Sequence, residues 1–171
     1  AFASADLNSP WQSRLVRVKL PQVNVRYSWL RAPSMMGNRF FPRKIYFQAV
    51  RIGSFLILGF PGELASEAGR EIEFSVAARN LHPLLIGYAN DYLGYVIPRR
   101  FYSEKDNYEA TVSFYGEKFP WFVQKQFNRL ANSLLSEEEK QKIDPPGELS
   151  YQNNLPVLML LGTPYHRCFE E

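Results

Sequence analysis

The sequence predicts an α/β domain, mixed α+β in detail, with a partly parallel sheet, a βαβ unit and flanking helices. Three observations carry that prediction. Phe55–Phe60 is a short unbroken apolar run leading into Pro61 and Gly62, the pattern of a strand buried on both faces. Leu64, Ala68, Ile72 and Val76 recur every four residues, laying an apolar stripe along a helix over residues 64–79. His82–Tyr88 is a second apolar run, and strand–helix–strand order favours a parallel pair with a right-handed crossover.

The remaining elements follow in order. Residues 1–13 are polar, and Arg14–Leu20 alternates apolar with basic residues, as a strand with one wet face does. Pro21 interrupts it, and Val23–Tyr27 resumes the alternation as an edge strand. Pro33, Gly37 and Pro42 make 31–43 a loop. Its Met35 and Met36, beside Phe40 and Phe41, either pack on the core or line an acyl-chain groove. Lys44–Ile52 alternates again and feeds through Gly53 into the Phe55 strand, which predicts a hairpin. Ser103–Asn107 turns the chain. Phe119 to Leu135 is an amphipathic helix, and Ser136 with Glu139 forms a capping box for a second, short helix ending before Pro145. Residues 144–154 are a loop, and Leu155–Leu161 is a last apolar strand.

Composition bounds the function. At 171 residues the chain suits a single domain, 1–171, or part of a larger catalytic domain, with a core at 44–116 and a C-terminal segment at 117–171. With 46% hydrophobic and 22% charged residues it is globular rather than disordered. Aromatic content of 15% fits an aromatic core or a lipid- or carbohydrate-handling surface. Arg26, Arg31, Arg39, Arg43 and Lys44 form a basic cluster suited to a solvated face, a subunit contact or acidic headgroups. No nucleic-acid motif accompanies it. The single cysteine, Cys168, excludes an internal disulfide. No run of eighteen apolar residues predicts a membrane span, and Ala1–Asp6 does not form an intact signal peptide.

The candidate chemistry lies in 53–108. Loops after successive parallel strands emerge at one sheet edge, where ligands gather. Glu63 follows the first strand and Asn90–Tyr95 the second, so a carboxylate and the phenols of Tyr92 or Tyr95 should converge on a cation or polar substrate. A helix N-terminus near Glu63 would favour its ionised form.

Pro61–Glu63 (Pro-Gly-Glu), Gly69–Arg70, the Gly87–Tyr95 loop and Tyr108–Ala110 (Tyr-Glu-Ala) together resemble the neutral ceramidase family, also called neutral/alkaline or non-lysosomal ceramidases. Order and rough spacing match over about residues 45–116. Pro-Gly-Glu alone is not specific, since Pro146–Glu148 repeats it. The resemblance implies a zinc amidase that cleaves the N-acyl bond of ceramide, and a secreted or extracytoplasmic location. It places zinc ligands at Glu63 and Tyr95, and at Tyr108 a catalytic tyrosine that contacts the reacting carbonyl region.

Two departures matter. Gly94 stands where a histidine often precedes the ligand tyrosine, and one extra residue separates Tyr95 from Tyr108. The family's two zinc histidines and catalytic serine lie upstream of Pro-Gly-Glu, yet the only histidines here are His82 and His166. Zinc usually takes three or four protein ligands, so Glu63 and Tyr95 alone are half a site. The chain therefore fits the C-terminal part of a catalytic domain whose site a second polypeptide or upstream segment completes, acting on ceramide or a similar lipid amide. The alternative is a non-catalytic subunit that keeps the fold and binds lipid or glycan, or is purely structural. A self-contained serine hydrolase is disfavoured, because no Gly-x-Ser-x-Gly is present.

Overall fold

A computed structural model describes residues 10–24, 41–104 and 106–141. The expectations for the 31–40 loop with Met35 and Met36, for Arg26, Arg31 and Arg39, for the 155–161 strand and for His166 and Cys168 lie outside them. Among the described residues the fold is a mixed α/β arrangement.

Strand β1 (Trp11–Lys19) pairs antiparallel with β2 (Lys44–Ile52) along its full length, from Trp11 opposite Ile52 to Lys19 opposite Lys44. The predicted hairpin joins β2 to β3 (Phe55–Gly59), with Gly53 at φ 58° in the turn. β3 then pairs in parallel with β5 (His82–Ile86), giving the sheet order β1-β2-β3-β5. Between them run the two-residue strand β4 (Glu63–Leu64) and helix α1 (Ser66–Ala77), so the βαβ unit is present. A separate two-stranded parallel ladder joins β4 to β6 (Tyr95–Val96). Three further helices follow: α2 (Arg99–Tyr102), α3 (Tyr108–Thr111) and α4 (Phe119–Ser133), with α5 (Glu137–Gln141) closing the described chain.

Alternation decides which side of the sheet is buried. Ile45, Phe47 and Ala49 of β2 and Leu56 and Leu58 of β3 are fully buried, facing Ile72 and Val76 of α1 and Val123 and Phe127 of α4. Phe47 meets the Phe127 ring edge-on at 5.3 Å between centroids. A polar seam locks the two helices together: Ser75 Oγ contacts Asn128 Oδ1 (3.1 Å), and the Arg79 guanidinium donates to Asn132 Oδ1 and to the Ser75 carbonyl, both at 2.5 Å.

The capping box holds as expected. The Ser136 N–H donates to Glu139 Oε2 (2.8 Å), and the Glu139 N–H donates to Ser136 Oγ (3.2 Å). Glu139 also takes two hydrogen bonds from Arg51 of β2, at 2.9 and 2.5 Å, while Arg51 donates to the Leu134 carbonyl at 2.7 Å. One guanidinium thereby anchors the end of α4 and the start of α5 to the sheet.

One expectation differs. β3 and β5 were expected to be buried on both faces, but only the helix-covered face is. Leu84 and Ile86 of β5 alternate outward and are exposed.

Candidate functional site

The site is built where β3 and β5 end. The Phe60 N–H donates to the Ile86 carbonyl (2.8 Å), extending the parallel ladder by one step before Pro61 breaks it. The loop after β5 then folds back over Pro-Gly-Glu: the Tyr88 N–H donates to the Gly62 carbonyl (3.0 Å), Ala89 to Phe60 (2.9 Å) and Leu93 to Pro61 (2.8 Å). Tyr88 and Asn90 adopt φ of 56° and 70° within this loop, uncommon for non-glycine residues. The Asn90 amide reaches back to Gln48 Oε1 at 3.2 Å.

These bonds deliver β6 alongside β4, with Glu63 directly opposite Tyr95. The Glu63 N–H donates to the Gly94 carbonyl (3.0 Å) and the Ala65 N–H to the Val96 carbonyl (2.9 Å). The approach is close. A Cβ on Gly62 would sit 2.6 Å from the Gly94 carbonyl, and one on Gly94, at φ +87°, would sit 2.6 Å from the Val112 carbonyl. No side chain fits at Gly94, so the histidine expected there has no room.

Three phenols converge on the Glu63 carboxylate. The Tyr92 hydroxyl donates to Oε1 at 2.7 Å, and the Tyr95 and Tyr88 hydroxyls reach the same carboxylate. Hydrogen bonds to the charged form favour it, so Glu63 is held below the usual carboxylate range, chiefly by Tyr92 and then by Tyr95. The phenols respond in the opposite direction. Bonding to Glu63 pushes Tyr92 up to about 12, raises Tyr95 further and raises Tyr88 as well. The rings of Tyr88 and Tyr92 stack nearly parallel at 5.7 Å.

Tyr108 joins from α3, whose first turn is capped by Asn107 Oδ1 accepting from the Ala110 N–H (2.9 Å). The Tyr95 N–H donates to the Val112 carbonyl just beyond that helix, and the Tyr108 ring meets Tyr95 edge-on at 6.3 Å. An open cleft of about 500 Å³ lies beside Glu63, lined in part by Ser66, Gly69, Arg70, Glu73 and Tyr88.

The order of these pieces recurs in known proteins. The chain is 29% identical to the neutral ceramidase of Oryza sativa subsp. japonica over 129 residues, covering 68% of this chain and 16% of that protein. It is 29% identical to neutral ceramidase 1 of Arabidopsis thaliana over 148 residues, covering 78% of this chain and 17% of that protein. Among solved structures it matches a ceramidase complexed with C2 at TM-score 0.54 and 29% identity, over 65% of this chain and 18% of that one. The neutral ceramidase from Pseudomonas aeruginosa gives TM-score 0.51 at 29% identity, over 59% of this chain and 16% of that one. The chain belongs to the neutral ceramidase family. No protein-family profile matches it. It spans about one sixth of the length of the ceramidases it matches.

Against that background the structure brings Glu63, Tyr95 and Tyr108 of the ceramidase-like motifs into one cluster. The helix contributes less than expected, because α1 begins at Ser66 and Glu63 belongs to β4; the phenols, not the helix dipole, hold its charge. His82 starts β5, at the opposite end of the parallel strands, and stacks on Phe55 at 5.5 Å. Tyr88 was missed by sequence reasoning. Its signal was available, since it follows Gly87 at the same carboxyl edge of the parallel strands.

The donor set decides the fit to a metal. One carboxylate and neighbouring phenols offer oxygen ligands only, and among the described residues no group of three His, Cys, Asp or Glu side chains converges. By themselves these residues do not make a zinc site.

Proposed function

We propose that this chain supplies part of the active site of a ceramidase-like zinc amidase acting on ceramide or a related lipid amide. Residues outside the chain would provide the histidines and the nucleophile. The observation that carries the proposal is the β4–β6 register, which sets Glu63 opposite Tyr95 at the positions the family motifs give for metal ligands. Zinc held there would act as a Lewis acid on the amide carbonyl.

The chain's own residues have definable roles. The Tyr92 hydroxyl, 2.7 Å from Glu63, fixes the carboxylate's orientation and keeps it ionised. Glu63 and Tyr95 present two oxygens side by side. Tyr108, 70% exposed and standing edge-on to Tyr95, is placed to donate its hydroxyl to oxygen charge developing on a substrate carbonyl. No helix among the described residues is long and apolar enough to cross a membrane. The family reading places the protein in the secreted or extracytoplasmic space.

Natively purified protein tests this reading by denaturing mass spectrometry together with a ceramide hydrolysis assay, with and without a chelator. A histidine-bearing second segment and chelator-sensitive hydrolysis support it. Hydrolysis that survives complete zinc removal, or none from intact material containing every segment, refutes it. The second reading, a subunit that binds lipid or glycan without turnover, is favoured by the absence of a metal-holding cluster among the described residues. Sphingolipid binding by the chain alone, with no product, would establish it.

A further inference from the structure

The four-stranded sheet is covered on one side only. Both α1 and α4 pack on the face that carries Phe47 and Leu58, and the register of the strands puts a second apolar row on the other. Ile57 lies beside Leu84 on that open face, and Trp11 and Leu15 extend it across β1. Trp11 is 70% exposed, Leu15 57%, Leu84 55% and Ile86 46%. Isolated exposed apolar side chains are ordinary, but a contiguous face of this kind marks an interface. Strands β3 and β5 pair in parallel, and parallel pairs with apolar residues on both sides are almost always covered on both.

We infer that this open face docks against another stretch of ceramidase polypeptide, joined in cis or carried by a second chain, which packs an apolar layer on the sheet and abuts the Glu63 site. Two observations choose that occupant over a second copy of this chain. The matched ceramidases are about six times longer than the stretch they share with it, so most of their polypeptide lies elsewhere. The apolar row of β5 also leads through Ile86 to Tyr88, whose hydroxyl reaches Glu63 and whose ring stacks on Tyr92. A layer seated on the sheet thus arrives at the half-built ligand set. The identity of the occupant rests on the amidase reading; the surface itself does not.

A photo-cross-linker tests the inference. p-Benzoylphenylalanine is placed at Leu84, and separately at Trp121, which is exposed on the helix side, in protein produced in its native host. The expected result is a cross-link from position 84 to a peptide resembling neutral ceramidase sequence outside the shared stretch, and none from position 121. A link to a second copy of this chain, to lipid alone, or no adduct at 84 overturns it. A Leu84→Lys substitution should leave the helical circular dichroism signal and Tm of the chain unchanged, yet reduce that cross-linked product about tenfold or more, because a charge would be buried at the contact. An unchanged yield would count against the surface. Zinc content and hydrolysis are measured on the same preparation. A cross-link without zinc keeps the surface and sinks the amidase reading; zinc-dependent hydrolysis without a cross-link does the reverse.

Discussion

Replacing Gly94 with alanine should damage both the fold and the site, and the size of the effect follows from local geometry. Gly94 has φ +87°, where an L-residue costs about 1–2 kcal/mol. The added Cβ would lie 2.6 Å from the Val112 carbonyl oxygen and 2.8 and 2.9 Å from two Phe114 ring carbons. One of these neighbours is backbone, so relief requires β6 to move, and overpacking of this kind adds about 1–3 kcal/mol. The total, about 2–5 kcal/mol, lowers Tm by about 5–15 °C in a domain of this size. The movement would be directional. The Gly94 carbonyl accepts from the Glu63 N–H, so displacing β6 pulls Tyr95 away from Glu63. Thermal unfolding followed by circular dichroism reads the first effect. Phenolate absorbance on alkaline titration reads the second, through a Tyr92 pKa falling from about 12 toward the ordinary value. A variant whose Tm stays within about 1 °C of the parent, with unchanged tyrosine titration, would refute the reasoning.

Three other substitutions probe separate parts of the structure. Glu63→Gln removes the charge that raises the phenols, so Tyr92 and Tyr88 should titrate nearer the ordinary tyrosine value; because Tyr92's folded pKa is raised, its share of stability holds below about 10 and fades as pH rises toward about 12 in the parent, and the variant should lack that alkaline loss in a pH series of unfolding midpoints. Glu139→Gln breaks the Arg51 pair that draws Glu139 down to about 2; with the Glu139 side chain 38% exposed, screening trims the loss to about 1–2 kcal/mol at pH 7, and since a lowered carboxylate stabilises only above its unfolded pKa, parent and variant urea midpoints should converge as pH falls from about 4.5 to about 2. Gly69→Ala should do the opposite of Gly94→Ala: its Cβ would make only ordinary contact with Leu85 Cδ1 at 3.6 Å inside α1, so helix propensity should raise stability by about 0.5–1 kcal/mol in a urea melt.

Much of this was legible because the decisive patterns are local. The 55–60 run, the four-residue spacing of Leu64 to Val76 and the 82–88 run specify strand, helix and parallel strand. Glu63 could be placed at the ligand edge from topology alone. The turn at Gly53 and the Ser136–Glu139 box are equally local, and both appear as expected. The features not foreseen depend on distant partners. Arg51 joins Glu139 across 88 residues of sequence, and neither residue announces the other. The two-residue ladder β4–β6 is too short to show periodicity, yet it sets the Glu63–Tyr95 register. Tyr88 needed the positive φ of its own turn to swing toward Glu63.

The remaining mismatch, a strand pair expected to be covered twice and covered once, has the same physical origin as the incomplete ligand set. Apolar residues on both sides of β3 and β5 are expensive to leave in water; each fully buried Leu or Ile side chain contributes about 1.5–3 kcal/mol that Leu84 and Ile86 largely forgo here. An ionised Glu63 ringed by raised phenols likewise suits a site that is finished by a cation and closed from solvent, for only then do its electrostatic interactions gain strength. A single additional layer on the sheet would meet both needs. Two unrelated additions would be required if the open face and the Glu63 cluster pointed apart; the row from Leu84 through Ile86 to Tyr88 instead leads from one into the other.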